Sequence, residues 1–171
     1  MTGADMNGVP QNRYQRVMQW IWPTLAVGMM ALLFYSSSMP GDESGAASMG
    51  IIDRLQNALP PLRWFAADTL HFLLRKGAHF TAYFVLAFFT THALKYYYWA
   101  NPSPRVEKGT FPWRLFLLAW GIASLYGVTD EIHQYFVPGR ACLLSDMVIN
   151  SVGALFGAGL VVSIVARCNR R

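Results

Sequence analysis

Residues 125–140, LYGVTDEIHQYFVPGR, follow an apolar stretch and place Asp130, Glu131, His133, Gln134 and Arg140 within eleven positions. Two further groups are built in the same way. Arg75, Lys76, His79 and Tyr83 lie upstream, and Asp146 and Asn150 lie just downstream. Carboxylates, an imidazole and cationic side chains gathered in an apolar chain can serve three kinds of chemistry: recognition of a charged group, proton transfer, or metal ligation. Glu131-x-His133 with His79 and Asp130 offers the right ligand types for a metal. The spacing fits neither a His-Glu-x-x-His pattern nor a Glu-x-x-His pair, so no metal and no other cofactor is expected. No G-x-S-x-G nucleophile motif occurs. Glu131 and His79 are the two candidates for acid/base work.

The elements that position these residues are set by composition. The 171 residues are 54% hydrophobic and only 13% charged, outside the range of soluble domains. Four apolar runs are long enough to cross a hydrocarbon core of roughly 17–25 helical residues. They fall near Val17–Tyr35, Lys76–Leu94, Trp113–Thr129 and Met147–Ala166. Because the runs are continuous and do not alternate, helix is the reading that satisfies the backbone in lipid. The expected architecture is all-α: a polytopic membrane protein with a four-helix transmembrane bundle over 17–166, a flexible segment at 1–16 and a basic tail at 167–171. Arg13 and Arg16 before an apolar stretch also resemble a signal peptide. The run is long, holds Trp22 and Pro23 and precedes no A-x-A pattern, so a retained helix is expected.

With four spans both termini share a side. That side carries Arg13, Arg16, Lys95, Arg105, Lys108, Arg114, Arg167, Arg170 and Arg171 against Asp5 and Glu107; the other holds five basic and seven acidic residues. Basic loops stay cytoplasmic, which places both termini inside and the polar cluster in the outer leaflet. The run Tyr96-Tyr97-Tyr98-Trp99 reads as an inner aromatic belt. The sequence pI near 9.5 does not indicate nucleic acid, because the basic residues are spread over helix ends. Cys142 and Cys168 fall on opposite sides, which excludes a disulfide between them.

Helical spacing then brings the polar residues onto faces. Lys76, His79 and Tyr83 align on the second helix; Ser124, Gly127, Glu131 and Gln134 align on the third, with Asp130 on the flank. Asp146, Asn150, Gly153 and Gly157 align on the fourth, where the glycines favour close helix approach. Arg75, Lys76 and Arg140 are available to pair with Asp130, Glu131 and Asp146, or to snorkel to headgroups. Asp146 is alternatively an N-cap, and His79 and His133 simple hydrogen-bonding residues. Between the first two spans, SSSMPGDESG reads as a turn-rich loop in which Ser38 or Asp42 caps the next segment. GIIDRLQNALPPLRW and RWFAADTLHFLLRK read as two short amphipathic pieces, the second lying at the outer lipid surface or extending the second span.

The strings RKGAHFTAYFVLAF and LYGVTDEIHQYFVPGRACLLSDMVINSVGALFG, with FYSSSMPG closing the first helix, resemble the VanZ-like family over roughly residues 30–160. The matching motifs are Arg75-Lys76-x-x-His79-x-x-x-Tyr83, Asp130-Glu131-x-His133-Gln134, Val137-Pro138-Gly139-Arg140 and Asp146-x-x-x-Asn150-x-x-Gly153. The resemblance implies a small multi-helix membrane protein of a family whose namesake is linked to teicoplanin resistance. The family often carries an acid directly before the tyrosine, where this chain has Ala82. The function expected is binding of a cell-envelope lipid headgroup or amphiphile, such as a lipid-linked precursor or a lipoglycopeptide. An intramembrane acid/base enzyme and an accessory membrane subunit are the alternatives. An impermeant reagent applied to intact cells should reach residues 130–146, and labelling that needs permeabilisation would reverse the orientation.

Overall fold

A computed structural model describes residues 13–100 and 112–168. The aromatic run at 97–99, the following inner loop, residues 1–12 and the last three residues carry expectations that lie outside the described residues and side chains. The fold is all-α. Its elements are α1 (Arg13–Ser37), α2 (Gly41–Ala58), a 3-10 turn (Pro60–Trp64), α3 (Ala67–Ala100), α4 (Trp113–Tyr135) and α5 (Leu144–Cys168). Among the described residues, three helices are long and apolar enough to cross a membrane: α1 over Arg16–Ser37, α4 and α5. The remaining expected span falls within α3. At 34 residues α3 has the length, but His79, Thr81, Thr90, Thr91 and His92 interrupt its apolar run. It packs against each of the other four helices, so protein surrounds it and less of its surface meets lipid.

Burial is inverted relative to a soluble protein. The core is built largely from small residues, with Ala87, Ala119, Ala123, Ala154 and Ala158 packed around Tyr83 and Leu86. Large apolar side chains point outward along α1 (Leu25, Leu32, Phe34), α4 (Leu118, Ile122, Leu125) and α5 (Val152, Phe156, Ile164). An exposed apolar surface this extensive suits a lipid solvent.

The tightest contact joins α3 to α5. A Cβ at Gly153 would run into the carbonyl oxygen of Phe80, and one at Gly157 into that of Phe84. The helices therefore meet backbone to backbone, as the glycine spacing predicts. Hydrogen bonds add to this packing. The Tyr126 hydroxyl donates to Met30 O at 2.6 Å, tying α1 to α4. Trp120 Nε1 donates to Ser151 O at 3.1 Å, and the Ser124 and Ser151 hydroxyls lie 3.0 Å apart, tying α4 to α5. Thr90 and Thr91 satisfy their hydroxyls on the Leu86 and Ala87 carbonyls one turn back.

The segment between α1 and α3 is in part what its sequence suggests. SSSMPGDESG turns over residues 38–40, but the loop is shorter than expected: helix resumes at Gly41, and α2 runs for 18 residues. Pro40 occupies the cap position with no side-chain cap, while Ser38 donates to Phe34 O within α1. Asp42 and Glu43 instead lie in the first turn of α2, where negative charge favours the helix dipole. Pro40 and Gly41 acted as a helix start, which a breaker reading alone does not distinguish from a loop. Of the two forms open to the piece beginning near Arg63, the structure shows the extension of the second span: from Ala67 it continues into α3. At the α2 start, Gly41 N–H donates to Pro138 O at 2.9 Å, and a Cβ there would strike the carbonyl of Gly139. Gly139 has φ +71°, a left-handed turn suited to glycine.

Gly157→Ala is expected to lower stability by about 1–3 kcal/mol through overpacking. Gly121→Ala, whose added Cβ has nothing within 4 Å, should be neutral or slightly stabilising. Thermal unfolding of the detergent-solubilised protein separates the two.

Candidate functional site

All of the motif residues collect at one end of the bundle, formed by the C-termini of α1 and α4 and the N-terminal parts of α2 and α5, with the corresponding level of α3 beside them. Tyr83, Glu131, Gln134, Asp146 and Asn150 are fully or almost fully buried, and Asp130 is 5% exposed. The cluster divides into two connected halves.

The first half lies between α3, α4 and α5. Lys76 Nζ forms an ion pair with Asp146 Oδ1 and sits 3.2 Å from the Ser145 hydroxyl. One helical turn deeper, His79 Nδ1 is 3.0 Å from Asn150 Oδ1 and 3.8 Å from Glu131 Oε1. Glu131 Oε2 accepts the Leu143 N–H at 3.2 Å. Gly127 makes this convergence feasible, because a Cβ there would lie 3.0 Å from Asn150 Cβ and 3.2 Å from the Tyr83 ring.

The second half reaches α1. The Ser37 hydroxyl donates to Asp130 Oδ1 at 2.5 Å, and Gln134 Nε2 donates to Ser37 Oγ at 3.1 Å and to Asp130 Oδ2 at 3.4 Å. Beside them is a cavity of about 260 Å³, whose wall includes Ser36, Arg75, His79, Asp130, Gln134 and Arg140. Ala82 also lines it, so no acid stands there to neutralise Arg75. Arg140 donates from Nε to Met39 O at 3.1 Å and from Nη2 to Ser36 O at 3.2 Å. Burial, and next the repulsion of Arg75, pull the Arg140 pKa below its ordinary value. Two guanidinium groups therefore face a common space.

Of the ion pairs anticipated, one forms between Lys and a carboxylate, Lys76 with Asp146. Arg140 does not pair with an acid; it turns to main-chain oxygens, because the α1–α2 turn presents two carbonyls at the right distance. Arg75 forms no ion pair among the described residues, and its buried Nε has no hydrogen-bond partner. Asp146 is not an N-cap: it lies inside the first turn of α5 and its side chain is held by Lys76. His133 stands outside the convergence, 3.1 Å from the Ser38 hydroxyl and stacked on Phe34. Ser37 was missed by sequence reasoning although it is 5% exposed and bonded to Asp130. Its signal was faint, one serine among three at the end of an apolar run. Cys142 and Cys168 are both free thiols.

A model of the VanZ/LLP1 family matches residues 22–166, which covers α2, α3 and α4, most of α1 and α5, and every residue of this cluster. The chain belongs to the VanZ/LLP1 family. Neither a curated protein nor a solved structure gives a significant match. In this VanZ/LLP1 protein the family motifs are thus not scattered surface features: they meet in space as two polar networks that share the face of α3 bearing Arg75, Lys76, His79 and Tyr83.

The buried Lys76–Asp146 pair has a testable asymmetry. Lys76→Met leaves Asp146 unpaired in the interior and is expected to cost up to about 3–5 kcal/mol, whereas Lys76→Met with Asp146→Leu should recover most of that loss. Thermal unfolding of the single and double variants measures both.

Proposed function

We propose that this protein binds the anionic headgroup of a cell-envelope amphiphile in the cavity between Arg75 and Arg140, at the outer leaflet of the bacterial cytoplasmic membrane. The observation that carries the reading is the pair of guanidinium groups on one cavity with no carboxylate ion-paired to either among the described residues. Guanidinium is suited to forked recognition of phosphate and carboxylate. An anion between Arg75 and Arg140 would offset both the burial and the mutual repulsion that lower the Arg140 pKa. Ser36 and Ser44 on the same cavity add neutral polar groups. Orientation follows from the basic excess on the opposite side, which puts both termini in the cytoplasm.

Size narrows the ligand. At about 260 Å³ the cavity lies at the lower end of small-molecule sites. It admits a headgroup and leaves the apolar tail to the lipid-facing surface. A lipoglycopeptide such as teicoplanin would be engaged by one charged group and its acyl chain, with the bulk of the molecule outside the membrane. This is the form in which a connection to glycopeptide susceptibility is consistent with the site. A second reading, acid/base chemistry on the same headgroup, is favoured by the 3.8 Å approach of Glu131 Oε1 to His79 Nδ1.

Mass spectrometry of lipid retained by the purified protein tests the binding reading. The native chain should carry a defined anionic lipid, and Arg75→Gln should lose it by roughly tenfold or more, the value of one charge-assisted hydrogen bond. Equal retention by the variant would overturn the proposal. Conversion of the retained lipid by the native chain, lost in Glu131→Gln, would establish the enzymatic reading instead.

A further inference from the structure

The first half of the cluster holds a feature that headgroup recognition does not use. His79 on α3, Glu131 on α4 and Asp146 on α5 bring one ligand atom each to within 4.8 Å of one another, and both carboxylates are fully buried. Each carboxylate is fastened by one oxygen only. Glu131 Oε2 is held by the Leu143 N–H and Asp146 Oδ1 by Lys76, while Glu131 Oε1 and Asp146 Oδ2 are buried with no hydrogen-bond partner. Leaving a buried acceptor unpaired costs about 1–3 kcal/mol, and more when it is charged.

We propose that His79, Glu131 and Asp146 bind one divalent cation of the Zn²⁺ or Mn²⁺ class, through an imidazole nitrogen, Glu131 Oε1 and Asp146 Oδ2. Ligands about 2.1 Å from a common ion stand about 3.0–3.4 Å apart at octahedral or tetrahedral angles. His79 Nδ1 and Glu131 Oε1 are 3.8 Å apart and the three residues offer ligand atoms within 4.8 Å of one another, so the side chains draw together by up to about 1.5 Å when the ion enters. Asn150 Oδ1 lies 3.0 Å from the same imidazole nitrogen; with the ion bound, that nitrogen has no proton to donate, and Asn150 Oδ1 is placed to act as a fourth oxygen ligand. The Leu143 N–H and the Lys76 ammonium act as outer partners that fix the carboxylates and leave the inner oxygens free. One nitrogen with oxygen donors suits borderline to hard divalent ions better than thiophilic ones. Lys76, as a neighbouring positive charge, restrains affinity and makes a tightly closed structural zinc site the less fitting form.

The site is tested on the full chain, purified through a histidine-free tag and stripped with chelator, by adding Zn²⁺, Mn²⁺ or Mg²⁺ singly. One equivalent of Zn²⁺ or Mn²⁺ should bind and raise the melting temperature. Affinity should fall at least tenfold in His79→Ala and in Glu131→Gln, and should be unchanged in His92→Phe, whose ring stacks on Trp22 away from the cluster. Should either ligand variant fail to fold, Co²⁺ added to the unaltered chain decides the matter: d–d absorption of nitrogen and oxygen ligation supports the site, and a spectrum of free Co²⁺ overturns it. Absence of stoichiometric Zn²⁺ or Mn²⁺ binding, or native affinity retained in both ligand variants, also overturns it. Arg75→Gln should leave metal binding intact while reducing lipid retention, so failure of the cation site and failure of the headgroup site give different results.

Discussion

Contact between the α3 and α5 backbones is the constraint on which the polar end of the bundle depends. Gly153 and Gly157 allow α5 to rest on the carbonyls of Phe80 and Phe84. This fixes the separation of the helices one to two turns further along, where Asp146 and Asn150 must reach Lys76 and His79. A short amide and a short carboxylate cannot span a wider gap. The lipid environment adds little hydrophobic drive between helices, so close van der Waals contact is the appropriate means of holding them. Apolar contacts among small residues thereby support a charged cluster.

The two halves of that cluster have different physical characters. The Lys76, His79, Glu131, Asp146 and Asn150 half is enclosed by three helices, and its groups are held mainly by one another. The Ser37, Asp130 and Gln134 half adjoins a cavity and two guanidinium groups. Its acid is bonded to a hydroxyl and an amide, and Arg75 and Arg140 line the cavity without an ion-pair partner among the described residues. Glu131 and Asp130 are adjacent in sequence yet serve different halves. Successive helical positions differ by about 100° in direction, so one points toward α5 and the other toward α1.

Much of this was legible in the sequence. The 3.6-residue period aligned Lys76 with His79 and Tyr83, and Asp146 with Asn150 and the glycines, because those alignments are properties of a single helix. Partner choice was not legible. Whether Lys76 meets Asp130, Glu131 or Asp146 depends on helix rotation and depth, which local spacing does not encode. The grouping of His79, Glu131 and Asp146 escaped for the same reason: one ligand comes from each of three helices, so no motif spacing exists to be recognised. An amphipathic helical segment between the first two spans was legible from Gly50 onward, but its start at Gly41 was not, since Pro-Gly followed by acids suits both a turn and a helix start.

The manner in which Arg140 is held has a consequence for how the protein can vary. Its guanidinium is anchored by main-chain oxygens of Ser36 and Met39. Side-chain identity at those two positions is therefore not what secures it. Replacement at Ser36, which lines the cavity, can reshape that wall without releasing the arginine from its post.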